Sequence, residues 1–190
     1  MVEIYMDDFR PDGGDFQDAL SNLGKVLHKC IEMNLSLSPV KCEFLMTTGT
    51  ALGHSISQQG LQVDPNKIVI IQRVPPPQKQ RDVRSFLGLA GYYRRFIKDF
   101  SKLASPLFGL LAKDSEFIWS KSFQEALDTL KDKLTTAPIL RGPNWALPFH
   151  IHVDASHKAI RATLGQKYDK LPYAIYFISK NMSKAERTTQ

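Results

Sequence analysis

Two adjacent carboxylates, Asp7 and Asp8, interrupt the strand-forming run Ile4-Tyr5-Met6 just before Phe9. Successive side chains of a strand point to opposite faces, so both acids reach one site only if the chain turns at Met6 to Asp8. A hairpin tip bearing two carboxylates suits a divalent cation used in phosphoryl chemistry, because close like charges are tolerated when a cation neutralises them. Mg²⁺ is the expected ion, with Mn²⁺ as its substitute. An ordinary surface turn, where Asp is common, is the competing reading, and the four residues taken alone favour it. A second stretch, FHIHVDASH, places His150, His152 and Asp154 on one strand face with His157 nearby. It imitates a His-x-His-x-Asp metallohydrolase, but such motifs carry histidine directly after the aspartate, and Ala155 stands there instead; exposed or packed strand histidines are the better reading.

The elements around these residues are legible from periodicity. Residues 2–10 read as strand, with PDGGD turning the chain into an amphipathic helix from about Asp15, its apolar stripe being Phe16, Leu20, Leu23, Leu27, Cys30 and Ile31. Short apolar runs separated by TTGT and SQQG predict a small antiparallel hairpin and a third strand. Asp64 and Pro65 open a short helix that the Pro75–Pro77 run must stop, leaving a rigid elbow. A helix from Gln80, a helix begun by Ser105 and Pro106, and a third ending before Pro138 follow. Three strands are then predicted in WALPFHIHVDAS, IRATLGQKYD and LPYAIYFISK.

Composition bounds the class. With 190 residues, 43% hydrophobic and 10% aromatic, the chain can bury a real core. A formal charge of +6 favours a polyanionic partner, but its distribution matters more than its size. Cys30 and Cys42 sit in apolar settings and are expected to be buried, reduced thiols, which suits an intracellular protein. No run reaches membrane-spanning length, and the start resembles no signal or transit peptide, so a soluble, non-secreted protein is expected, with nothing to choose between cytoplasm and nucleus.

The charge is patterned on one segment. A helical wheel over residues 80–102 gathers Arg84, Gly88, Gly91, Arg95, Lys98 and Lys102 in a narrow stripe, with Lys102 the least secure member. Val83, Phe86, Leu89, Ala90, Tyr93, Phe96, Ile97 and Phe100 lie opposite. Each glycine within a helix costs about 1 kcal/mol relative to alanine. Glycines on a basic stripe fit either a helix lying close to a nucleic-acid duplex, with Arg and Lys reaching phosphates, or a solvated face whose glycines allow close helix packing. Pattern alone leaves both open.

The motifs, taken in order, resemble a known family. YMDD is similar to the YxDD motif of reverse transcriptases, and LGHSISQQGLQVDPNKI, PPP, VRSFLGLAGYYRRFIKDFSKLASPL, DAS and LGQ follow in the order and spacing of gypsy-class LTR retrotransposon polyproteins, most nearly those of plants. The resemblance spans almost the whole chain. It implies an α+β fold: the C-terminal part of the palm with a primer-grip-like hairpin over 1–63, a helical thumb over 64–112, a connection over 113–145, and the first antiparallel strands of an RNase H-like domain over 146–190. By the same resemblance Asp7 and Asp8 are palm carboxylates of two-metal nucleotidyl transfer, Asp7 being the stronger metal ligand, and Asp154 is the first metal-binding carboxylate of RNase H. Tyr5, Met6, Leu52, Gly53, His54, Arg84, Gly88, Gly91, Arg95 and Lys98 become the candidate contacts to a template-primer or RNA:DNA hybrid.

Departures from the family pattern accompany these matches. The chain begins after the position of the upstream palm aspartate and ends before the next RNase H carboxylate, and Glu186 does not take that role. Arg161 stands where the family usually has glycine, which puts a bulky charge on a central strand and hints at decay. Without the later elements the last three strands should expose apolar surface. The expected function is accordingly that of a reverse transcriptase/RNase H fragment, inactive in isolation. A catalytically dead or co-opted module that binds duplex nucleic acid is the alternative, and an unselected reading frame is a third possibility.

Overall fold

The computed structural model describes residues 2–6, 8–44, 46–112, 116–157, 159–183 and 186. The chain forms two compact units, Met1–Thr47 and Thr48–Gln190. None of the described helices is long and apolar enough to cross a membrane.

In the first unit, β1 (Val2–Tyr5) pairs antiparallel with β2 (Asp8–Pro11), opposing Tyr5 to Asp8. Met6, at φ 54°, reverses the chain. Helix α1 (Phe16–Glu32) starts at Asp15, whose Oδ1 accepts from the Asp18 amide at 2.8 Å and so satisfies one of the helix's orphan donors. Its apolar stripe is there, but only Val26 and Cys30 are buried, while Phe16, Leu20 and Ile31 face solvent. Cys42 departs from expectation: it is half-exposed, in the coil after a single 3₁₀ turn (Pro39–Lys41).

The second unit holds the core. Strands β3 (Gly49–Ala51), β4 (His54–Ser57) and β5 (Gly60–Val63) form an antiparallel sheet. Gly60, at φ 133°, lets Leu140 come so close that a Cβ would lie 2.2 Å from its carbonyl oxygen. Leu61 and Leu140 then exchange backbone hydrogen bonds of 2.8 and 3.0 Å, tying the segment after the last helix to this sheet.

Helix α2 (Pro65–Arg73) is capped by Asp64, with Pro65 in its first turn as expected. Lys131 Nζ caps its other end, donating to the carbonyls of Gln72 and Val74. Helices α3 (Gln80–Tyr92), α4 (Phe100–Gly109) and α5 (Lys121–Thr135), with the segment joining the first two, bury Val83, Phe86, Ala90, Tyr93, Phe96, Phe100, Leu107, Leu127, Leu130 and Leu134 in one cluster.

Two expectations need correction here. The helix from Gln80 does not run to residue 102: it stops at Tyr92, is followed by a 3₁₀ turn (Arg94–Phe96), and restarts at Phe100 after Asp99 enters the left-handed region at φ 63°. Two tyrosines, a phenylalanine and an isoleucine are weak helix formers, and the break lets Tyr93, Phe96 and Ile97 all reach the core, so packing overrides the periodic pattern. Likewise the next helix starts well before Ser105 and contains Pro106, because the Asp99 carbonyl already accepts from the amides of Lys102 and Leu103.

The last sheet has the order β6 (His150–Ala155), β7 (Ala159–Tyr168), β8 (Leu171–Asn181), antiparallel throughout, with a register shift at Leu164/Gly165. Its face bearing Phe177 and Ser179 meets the helices. The buried pair Ser101 and Ser179 exchange hydrogen bonds, Ser101 N to Ser179 Oγ at 2.9 Å and Ser101 Oγ to Ser179 O at 2.8 Å, and Arg94 donates to the same carbonyl. The opposite face leaves Ile151 and Val153 67% and 64% exposed, beside Ile178. Apolar surface on these three strands is thus exposed, as expected.

Candidate functional site

The carboxylate turn is only partly placed. Asp7 lies outside the described residues. Asp8 is exposed at the start of β2 and, directly opposite Tyr5 in the antiparallel ladder, shares its face; Tyr5 and Met6 are exposed as well. Among the described residues no three His, Cys, Asp or Glu side chains converge to hold a metal ion, so they do not by themselves make the expected site.

The second candidate, Leu52-Gly53-His54, is built tightly. Ala51 pairs with His54, and Leu52 and Gly53 turn the chain with φ 47° and 69°, both positive as a two-residue hairpin turn of this hand requires. Both turn carbonyls are held by the end of α3: Tyr92 Oη donates to Leu52 O at 2.5 Å and Tyr93 Oη donates to Gly53 O at 2.7 Å. The buried His54 ring packs on Tyr92, Tyr93 and Phe96 with centroids 5.2–5.7 Å away, and its Nδ1 lies 2.9 Å from Leu52 O. Burial lowers the His54 pKa below its usual 6.5; the bond to Leu52 opposes this, and the nearby Arg95 charge adds to the lowering. Burial likewise pushes Tyr93 up to about 12. The sequence reading places Tyr93 only in an apolar stripe and overlooks Tyr92. The adjacent pair in GYYRRF was the available signal, since one member must leave that stripe and carry its hydroxyl elsewhere.

Of the basic stripe, only the α3 part survives as one face. Arg81, Arg84, Gly88 and Tyr92 are exposed along it, and Gly91 is half-buried. A Cβ built on Gly88 or Gly91 meets no heavy atom within 4 Å. Close packing within the chain therefore does not explain these glycines. Arg95 sits on the 3₁₀ turn instead, its guanidinium over the Tyr176 ring at 4.4 Å and its Nε buried. Lys98 is exposed between that turn and α4.

In the last sheet, His150, His152 and Asp154 alternate along β6 as expected, yet Asp154 faces Arg161 across the ladder and is bonded to it. A polar group missed in the sequence is Gln166, 1% exposed, whose amide joins Asn144, Leu147 and Tyr173 through four hydrogen bonds. Glu186 is held by Lys180 and by the Ser183 amide, which lower its pKa to about 2.

Residues 119–190 match the family described as an RNase H-like domain found in reverse transcriptase. Across 183 residues, 96% of its length, the chain is 35% identical to the retrovirus-related Pol polyprotein from transposon 412 of Drosophila melanogaster. It is a Pol-polyprotein segment of the retrotransposon and retroviral kind. This Pol segment is also 31% identical, over 97% of its length, to the Tf2-3 polyprotein of Schizosaccharomyces pombe. It spans only about 15% of those relatives' own lengths. Its fold is that of the foamy viral protease-reverse transcriptase: the structure with double-stranded DNA superposes with a TM-score of 0.86 over 98% of the segment and 33% of that chain, at 24% identity. The structure with an RNA/DNA hybrid gives 0.83 over 98% of the segment and 26% of that chain, also at 24% identity. The α+β class is thereby shown, and the family is one that uses divalent metals.

Proposed function

We propose that the chain is the palm-to-RNase H portion of a gypsy-class, plant-type element, and that its own residues serve to hold duplex nucleic acid along α3. The ordered motifs support the lineage, and the segments 1–63, 64–112, 113–145 and 146–190 are the corresponding functional divisions. One observation carries the binding role: Gly88 and Gly91 leave open space on an exposed helix face beside Arg84. Such a face admits a sugar-phosphate backbone closely, while the arginine supplies phosphate contact. The foamy viral neighbours were solved with double-stranded DNA and with an RNA/DNA hybrid, which agrees with this partner. Leu52 and Gly53, pinned to the end of the same helix and backed by the buried His54, extend the face toward the primer end. In the parent polyprotein we assign RNA-directed DNA synthesis to Asp7 and Asp8 with Mg²⁺, while Asp154 marks the part of the chain that corresponds to the RNase H domain.

The test is fluorescence anisotropy of a labelled RNA:DNA hybrid with the 190-residue chain over a salt series. Affinity is expected to fall steeply with salt, and Arg84→Ala to reduce the salt slope by about 1. Gly88→Ala with Gly91→Ala should weaken binding although no charge is lost. Indifference to both changes would reject the α3 face as the contact surface.

A further inference from the structure

Arg161 is the third residue of β7, the central strand of the last sheet, directly opposite Asp154 on β6. Its Nε donates to Asp154 Oδ2 at 2.7 Å, its Nη2 donates to the same oxygen, and its Nη1 donates to Asp99 Oδ1 at 3.2 Å. One guanidinium thus joins an acid on the sheet to the acid that precedes α4. A divalent cation at Asp154 would need these oxygen lone pairs, together with further oxygen ligands, directed at itself. Here Asp154 Oδ2 already accepts two hydrogen bonds from the Arg161 guanidinium, and that adjacent positive charge would repel an arriving cation. The residues therefore do not fit a metal at this carboxylate.

We infer that Arg161 is the resident counter-ion of Asp154, standing where a divalent metal would bind, so that this chain does not recruit a metal through Asp154. The glycine usual at this position in the family pattern would leave the carboxylate free. The arginine also draws Asp99 into the same network. None of this depends on whether α3 binds a duplex.

The experiment is an Mn²⁺ titration of the ¹⁵N-labelled full chain, reading paramagnetic broadening of the amides from Val153 to Ser156. In about 0.1 M salt, so that weak surface attraction is screened, the wild type should need at least about tenfold more Mn²⁺ for half-broadening than Arg161→Gly, because the competing charge is gone. Arg161→Gln, which keeps most of the bulk, should move the same way and decides the matter if the glycine variant fails to fold. Adding Asp154→Asn to Arg161→Gln should abolish the gain. Equal broadening of wild type and Arg161→Gln, whether strong or absent in both, would overturn the inference. So would a gain that survives Asp154→Asn.

Discussion

Tyr93, at the end of α3, donates its hydroxyl to the Gly53 carbonyl 40 positions earlier, at 2.7 Å. With Tyr92 bonded to Leu52 O, a hairpin turn is held by its own backbone, not by its side chains. Turn position and helix position are thereby coupled.

Gly53→Ala should cost about 1–2 kcal/mol, because the residue sits at φ 69° and an added Cβ would approach Tyr93 Oη to 3.1 Å. Urea unfolding followed by tryptophan fluorescence measures it cleanly, since Trp119 and Trp145 both lie in the second unit.

The Tyr93 hydroxyl should titrate late. Tyr93 rises from 10.0 to about 12, chiefly through burial, so its neutral form is favoured in the folded chain. Its contribution is complete below pH 10 and is lost as pH rises toward 12. A spectrophotometric alkaline titration should show a late phase that is absent in Tyr93→Phe, and that variant should be about 1 kcal/mol less stable at neutral pH.

His54 responds to the opposite extreme. Its folded pKa is lowered, chiefly by burial, so the neutral ring is favoured. Its contribution is therefore present above 6.5 and declines as pH falls through the folded value. An NMR titration should place its midpoint below the usual 6.5, and unfolding midpoints should fall with acidification less steeply in His54→Gln.

Gly88→Ala and Gly91→Ala should each stabilise the chain by up to about 1 kcal/mol, as helix propensity dictates where no neighbour is displaced. Thermal melts check this. Raised stability together with weakened duplex binding would be the signature of glycines kept for an external contact.

Much of this architecture is written in short-range patterns. The Asp15 and Asp64 caps, the Pro65 start and the three closing strands are all readable because each depends on residues a few positions apart. The α3 stripe was readable only as far as Tyr92. Beyond it the wheel extrapolates a period that the backbone abandons, which separates Arg95 and Lys98 from Arg84. The same limit hid Gln166, whose partners include Asn144, 22 positions away.

Element types, the helix starts near Asp15, Asp64 and Gln80, turn glycines and the acids of each motif thus follow from the order of residues, because propensity, capping and alternation act over one or two turns of chain. The clamp of Tyr92 and Tyr93 on the Leu52 turn, the seat of Arg95 on Tyr176, and the capture of Asp154 and Asp99 by Arg161 do not. They join groups brought together by packing of the helices on two sheets, and no local rule tells a charged or hydroxyl side chain which distant partner burial will deliver.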